Sequence, residues 1–312
     1  MNLQYTSFFS EYIREMIELR KSLGKSPRTY AYELQSFDRF CVRYFPKESQ
    51  LTRELASKWC EGGKQNCGSG YRMRAMRAFG RYLTSIGIDA FVFPSEWIAK
   101  PKTGLPYIFK ESELKSLYKA VDEISPHRNS PLREYTLPVM FRLMFLCGLR
   151  PQEVRRLRRK EVDVRNCRLH ITASKRNRDR LLPISMELTV LCHKYDRIAN
   201  VCAPDRQYFF QPPKSGPYRY NWLTSQYHRC RRFAGNIAPG STPYDLRHNF
   251  ATRTLMRWVE EGKDIGAWLP YLSAYMGHET YTGTAYYIHL LPERLSKCDF
   301  TKIEGIIPEA AK

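Results

Sequence analysis

The sequence predicts a mainly helical chain in two parts, the second carrying one small β-hairpin among its helices. Three observations lead there. Apolar residues recur at helical spacing through most of the chain, as in Phe9, Tyr12, Ile13, Met16 and Ile17. Only residues 162–184 change period, with two short strand-like runs. Residues 99–106, Ala-Lys-Pro-Lys-Thr-Gly-Leu-Pro, combine two prolines, a glycine and two lysines without periodicity, as an interdomain linker does. The expected division is therefore a helical domain over 1–98, a linker over 99–107 and a second domain over 108–312. A chain of 312 residues can support two cores.

In the first domain, Ser7 is placed to cap a first helix that Gly24 stops. Ser26-Pro27 opens a second, with Leu34, Phe37, Phe40, Cys41 and Tyr44 as its apolar stripe. Thr52 caps a short third. Ser69 opens a fourth, Tyr71 to Ile86, closed by Gly87. On that fourth helix Arg74, Arg77 and Arg81 lie three and four apart and share one face, a spacing that suits phosphates or a groove. A solvated basic face would look the same.

In the second domain, Ser112 is placed to cap a helix through Leu114, Leu117, Tyr118 and Val121. The stretch from Leu137 to Cys147 is apolar nearly all round, so it belongs at the domain's centre. It opens either at Ser130-Pro131, leaving Pro138 as a kink, or at Thr136. Arg168–Thr172 and Arg180–Ile184 read as two strands around a basic turn, residues 173–179. Helices follow at 186–198 and 222–233. Thr242, Pro243 and Asp245 then give a strong helix start.

Composition narrows the partner. With 43% hydrophobic and 26% charged residues the chain is globular rather than disordered. Lys plus Arg number 51 against 31 acidic residues, a net charge of +20 that points to a polyanion, nucleic acid above all. The first hundred residues hold 16 basic and 10 acidic side chains and the remainder 35 and 21, so both parts could meet one polyanion. No apolar run reaches membrane-span length, so no membrane partner is expected, and Met1-Asn2-Leu3-Gln4-Tyr5 is not a signal peptide. Nine irregularly spaced cysteines suit a reducing compartment with free thiols. Cys60 and Cys67 are too widely spaced for a tight zinc knuckle, and His228 with Cys230 has no matching second pair.

Four segments could meet around one phosphate. Arg150 lies between the helix stop Gly148-Leu149 and the helix start Pro151-Gln152-Glu153-Val154, where Glu153 could orient its guanidinium fork. Lys175 sits on the hairpin turn, where an ammonium could protonate a leaving alkoxide. Tyr244 and Arg247 share a face in the first turns of a helix, whose N-terminus favours an anion. Last comes Gly277-His278, with Tyr287 nine positions later. Each segment alone also fits an ordinary surface or paired side chain.

Together they resemble the tyrosine recombinase (phage integrase) family. Gly148-Leu149-Arg150-Pro151-Gln152-Glu153-Val154 resembles its first arginine box, Lys175 to Pro183 its hairpin lysine motif, and Asp245-Leu246-Arg247-His248-Asn249-Phe250-Ala251-Thr252 its second arginine box. Met276-Gly277-His278 with Tyr287 is similar to the last box. The resemblance covers 108–290 closely and the N-terminal part in general character.

That resemblance implies a helical core-binding domain followed by a mixed α/β, mostly helical catalytic domain of the tyrosine recombinase type. It implies that Arg150 and Arg247 clamp the scissile phosphate, Tyr287 attacks phosphorus, Lys175 is the general acid and His278 donates a hydrogen bond. The product would be a 3′-phosphotyrosyl link with a free 5′-hydroxyl, and no metal or nucleotide cofactor would be needed. The partners implied are double-stranded DNA and further copies of the chain, a tetramer on paired sites. The setting would be cytoplasmic and nucleoid-associated. The family usually has histidine where this chain has Tyr244, and a phenol, ionising near pH ~10, is a poor base at neutral pH. Spacing from His278 and the following Ile288-His289 favour Tyr287 over Tyr281 and Tyr286 as nucleophile. A type IB topoisomerase and a DNA-binding protein without catalysis are the competing readings.

Overall fold

Four helices make the first of two units into which the computed structural model divides, Met1–Gly104 and Leu105–Lys312. The structure describes residues 4–24, 26–62, 68–98, 105–172, 179–212, 216–278 and 282–288. The first unit holds α1 (Ser10–Ser22), α2 (Arg28–Tyr44), α3 (Arg53–Glu61) and α4 (Gly68–Ser85). Its core is aromatic. Phe37 lies 5.5 Å from Phe9, 5.4 Å from Trp59 and 6.1 Å from Phe79 between ring centroids, and all four rings are buried. Rings at these separations add roughly 0.5–1.5 kcal/mol per pair beyond their burial.

The Thr52 hydroxyl caps α3 as expected, accepting from the Leu55 N–H. Ser7 does not cap α1 directly. Its hydroxyl donates to Asp38 of α2, and α1 begins three residues later. On α4 the three arginines differ. Arg81 is exposed, the Arg74 guanidinium lies 5.5 Å from the Tyr71 ring, and Arg77 turns in to donate to the Phe93 carbonyl.

The second unit runs α5 (Glu111–Asp122), α6 (Arg133–Leu146), α7 (Pro151–Arg156), β1 (Val162–Asp163), β2 (Arg168–Ile171), β3 (Arg180–Pro183), α8 (Met186–Cys202), α9 (Tyr220–Phe233), α10 (Pro243–Glu260), α11 (Ile265–Met276) and α12 (Thr282–Ala285). The strands form an antiparallel sheet in the order β1-β2-β3, with Leu169 opposite Leu182 and Ile171 opposite Arg180. The sequence called for β2 and β3. Two-residue β1 is too short to show a period and was not expected.

Helix α6 is central, as its apolar surround requires, packing on α5, α7, α8 and α10. Its residues Leu137, Met140, Phe141, Leu143 and Met144 are fully buried. It begins at Arg133, after Leu132 in the left-handed region, so Pro138 lies within it. Helix α5 begins one residue before Ser112. The Glu113 carboxylate, not a serine hydroxyl, satisfies its start by accepting from the Lys110 N–H at 2.8 Å. Residues just before α5 fix α10. The Tyr107 N–H donates to Asp245 at 3.0 Å, and the Phe109 N–H donates to the Asn249 side chain at 2.8 Å. Among the described residues, no helix is long and apolar enough to cross a membrane.

Candidate active site

The site is built where three helix ends meet β3. Arg150 is the residue before α7, with extended backbone, so its side chain leaves the helix N-terminus. Gly148 makes this possible. Its φ is +61°, and a Cβ there would lie 2.5 Å from the Phe250 ring of α10, so only glycine fits the turn. The bare Gly148 carbonyl accepts from Arg247 Nη1 at 2.5 Å.

Arg247 sits one turn into α10. The start of that helix is held by Asp245, which accepts from the Thr242 N–H at 2.7 Å and the Thr242 hydroxyl at 3.0 Å. The Arg247 side chain is fully buried. Its Nη2 donates to the Met276 carbonyl at 2.7 Å and to His278 Nε2 at 3.0 Å. Its Nε has no hydrogen-bond partner among the described residues. Burial and the nearby Arg150 charge push the guanidinium down to about 10.

Glu153 ties the cations together and is almost wholly buried. Its carboxylate accepts from Arg150 Nη1 at 2.7 Å and the Arg150 N–H at 2.8 Å. It accepts from both terminal nitrogens of Arg180 at 3.0 and 2.9 Å, and Arg247 Nη1 is 3.9 Å away. Burial alone would raise its pKa, but the Arg180 hydrogen bonds and the Arg180 and Arg150 charges outweigh it and hold the carboxyl at about 2. A buried charge needs such partners.

His278 is placed by the end of α11. Gly277 has φ +64° and closes the helix with bonds from the Gly277 N–H to Ala274 and from the His278 N–H to Ser273, a double-bonded left-handed cap. The freed Gly277 carbonyl accepts from Arg150 Nη2 at 2.7 Å, and a Cβ on Gly277 would meet Arg180 at 2.9 Å. Since Arg247 donates to His278 Nε2, the ring proton is on Nδ1 and donates to Thr284 Oγ1 at 2.7 Å. Burial, Arg247 and Arg150 push His278 down to about 3, so it is neutral at physiological pH.

Tyr287 follows α12, its N–H bonded to the Thr284 carbonyl at 2.9 Å. It is 2% exposed and packs with Leu255, Leu269 and Met276. Its ring stacks on His278 at 6.0 Å with 15° between planes, and its hydroxyl is 3.0 Å from His248 Nδ1. Burial pushes the phenol up to about 12 against the pull of Arg247. Tyr286 points outward, 38% exposed.

The structure thus brings Arg150, Arg247, His278 and Tyr287 together. The Tyr244 ring stands 4.9 Å from His248. Lys175 and Tyr281 lie outside the described residues. Sequence reasoning gave no role to Arg180, Thr284 or His248. Arg180, the first residue of β3, gave no local signal, because its partners Glu153 and Tyr275 lie far along the chain. No spacing marked Thr284. Among the described residues no group of three or more His, Cys, Asp or Glu could hold a metal ion.

The profile of the phage integrase family matches residues 108–294. The chain is 33% identical over 294 residues to a putative integrase/recombinase, y4rE, of Sinorhizobium fredii, covering 91% of this chain and 92% of that one. The chain belongs to the phage integrase family. As a member of that family it is a tyrosine-type site-specific recombinase. It is also 25% identical over 299 residues to tyrosine recombinase XerC of Nitrobacter winogradskyi, covering 91% and 90% of the two chains. Its fold matches XerH site-specific recombinase bound to difH in a post-cleavage complex, with TM-score 0.64, 18% identity, and 88% and 79% of the chains covered. It matches the Tn1549 transposon integrase in complex with transposon right-end DNA at TM-score 0.60 and 12% identity, covering 88% and 94%. The phage integrase match spans every element of the site from α5 to Tyr287.

Proposed function

We propose that this recombinase cuts and rejoins double-stranded DNA through a 3′-phosphotyrosyl intermediate formed on Tyr287. The chain of contacts that links Arg150 and Arg247 to the Gly277-His278 segment, and His278 to the Tyr287 ring, carries the reading. In it, Arg150 and Arg247 take the non-bridging oxygens of the scissile phosphate and stabilise the charge that builds up on them. The buried, unpaired Nε of Arg247 supports this, because an anion would supply its missing partner. The Tyr287 oxygen attacks phosphorus, the bond to the 5′ oxygen breaks, and Lys175 protonates that oxygen. The phosphotyrosyl link keeps the bond energy for rejoining, so the step calls for neither metal nor nucleotide. His278 holds the ring of Tyr287 by stacking, and its Thr284 bond fixes its orientation. The helical unit ahead of residue 99 would grip the DNA, with Arg74 and Arg81 of α4 on phosphates and Arg77 as a brace. The unit from residue 108 would carry the chemistry, in a tetramer on paired sites close to the nucleoid.

The test uses duplexes enriched by the full-length protein from a random-sequence pool, rebuilt with single nicks at successive positions so that the cleaved strand is lost. A covalent adduct mapped to Tyr287 with a free 5′-hydroxyl, absent in Tyr287→Phe, is the expected result. An adduct that persists in Tyr287→Phe moves the nucleophile, and no adduct on any duplex removes the reading. Relaxation of any supercoiled plasmid without sequence preference would instead indicate topoisomerase activity.

A further inference from the structure

We propose that His248 is the general base for strand cleavage, taking the Tyr287 proton onto Nδ1 as the phenol oxygen attacks phosphorus. The inference rests on the phosphotyrosyl reading above. Its starting point is a contact: His248 Nδ1 and the Tyr287 hydroxyl are 3.0 Å apart, hydrogen-bond distance for a proton transfer.

The other groups around the phenol are occupied. The His278 lone pair on Nε2 is taken by Arg247 and its Nδ1 proton by Thr284, so that ring has no acceptor to offer. Glu153 is saturated by Arg150 and Arg180. Tyr244 shares the α10 face of His248 and touches its ring, but a phenol carries its own proton at neutral pH. Among the described residues, His248 Nδ1 is therefore the acceptor left within hydrogen-bond distance of the Tyr287 hydroxyl.

The charge state fits. The groups facing His248 are Asp245, Arg247 and Tyr244 of its own helix, His278 at the end of α11 and Tyr287 after α12. Burial and Arg247 push the ring down, Asp245 pulls it up, and at about 4 it is neutral at pH 7 and able to accept. Tyr287 at about 12 keeps its proton until attack begins. Once the Oη–P bond forms, the oxygen becomes an ester oxygen that holds no proton. The base therefore lies between the two states of the nucleophile, the condition for concerted transfer.

The step balances. The Tyr287 Oη–H bond breaks and the proton passes to Nδ1, giving an imidazolium. The Oη–P bond forms, the P–O5′ bond breaks, and O5′ is protonated by Lys175. In rejoining, the 5′-hydroxyl gives its proton back to Lys175 as it attacks phosphorus, the Oη–P bond breaks, and the imidazolium returns its proton to Oη.

The test is single-turnover cleavage of the nicked, pool-selected duplexes by the full chain, across pH 5.5 to 9. His248→Ala is expected to slow cleavage by about 10²- to 10⁴-fold with DNA affinity retained. Its log rate should rise with pH at unit slope where wild type is flat. Fluorinated tyrosine at position 287, whose phenol ionises at lower pH, should speed His248→Ala at least about tenfold and wild type little. His248→Asn keeps an acceptor for the phenol but cannot take a proton, and guards against misfolding of the alanine variant. It should be equally slow. Wild-type rates in either variant, with the adduct on Tyr287, would overturn the role of His248 and leave the phosphotyrosyl reading intact. A slow variant with the wild-type pH profile and no fluorotyrosine rescue would overturn it too, reducing His248 to a support. Absence of any adduct in wild type would instead count against the phosphotyrosyl reading itself.

Discussion

Replacing Glu153 by glutamine isolates the charge that organises the site. The carboxylate is nearly fully buried, meets both Arg150 and Arg180, and lies 3.9 Å from Arg247. Its fall from the ordinary 4.5 to about 2 corresponds to about 3 kcal/mol of stability. The direction follows from linkage. A carboxyl whose folded value is depressed contributes fully above pH 4.5 and loses that contribution as the pH falls toward 2. Glu153→Gln resembles the protonated acid, so it should unfold about 3 kcal/mol more easily than wild type at pH 7. The gap should close below pH 4.5. Leaving two guanidinium groups without their buried counter-charge gives a similar figure, about 3–5 kcal/mol. The assay is urea unfolding of the full chain followed by circular dichroism from pH 7 to pH 2.5. A difference under about 0.5 kcal/mol at pH 7, the size of an ordinary surface change, would refute the account. So would a difference that does not vary with pH.

Arg247→Lys keeps a positive charge but cannot reach Gly148, Met276 and His278 at once. Single-turnover cleavage should fall by about 10²- to 10³-fold, and a fall under about tenfold would show that charge alone suffices. Gly277→Ala places a methyl 2.9 Å from Arg180 at φ +64°, and should cost about 1–3 kcal/mol, read as a lower Tm. An unchanged Tm would show that Arg180 gives way freely. His248 and His278 are both held neutral, at about 4 and about 3 against the ordinary 6.5. Depressed histidine values contribute stability above pH 6.5 that is lost as the pH falls through 6.5 toward those values, because the unfolded chain binds the protons. Wild type should therefore lose Tm between pH 6.5 and 4.5, above the range where Glu153 titrates, and His278→Asn should lose less. Parallel curves would remove the linkage.

What could be read ahead of the structure were features held within a few residues. The Thr242–Asp245 start of α10, the turn at Gly148, the proximity of Glu153 to Arg150 and the pairing of β2 with β3 all depend on local spacing, and all four stand in the structure. What escaped depends on distant partners. Arg180 looked like any strand arginine, but its direction is set by Glu153, 27 residues away, and by the Tyr275 carbonyl, 95 away. Arg77 shares a helical spacing with Arg74 and Arg81, yet it turns inward to a carbonyl 16 residues on. His248 follows Arg247 directly, so helical periodicity puts the two on different faces. Only the return of the chain at α12 brings Tyr287 to it.

The two site arginines hold protein as well as any phosphate, and this shapes how their substitution should be read. A guanidinium has five N–H donors. Arg150 directs Nη1 to Glu153 and Nη2 to the Gly277 carbonyl, and Arg247 directs Nη1 to Gly148 and Nη2 to Met276 and His278. Both therefore grip the peptide that carries His278 and leads to Tyr287. An alanine at either position would remove a phosphate contact and release the nucleophile's arm at the same stroke. The resulting rate loss is a joint quantity, as in other sites whose groups act as a unit. Glu153 offers the separation. It touches the arginines through nitrogens that do not reach the arm, apart from the 3.9 Å approach of Arg247, so its removal loosens the cations while the grip on Gly277 and Met276 remains. Comparing Glu153→Gln with Arg247→Lys in cleavage therefore distinguishes how much of the rate comes from aiming the charge and how much from holding the tyrosine.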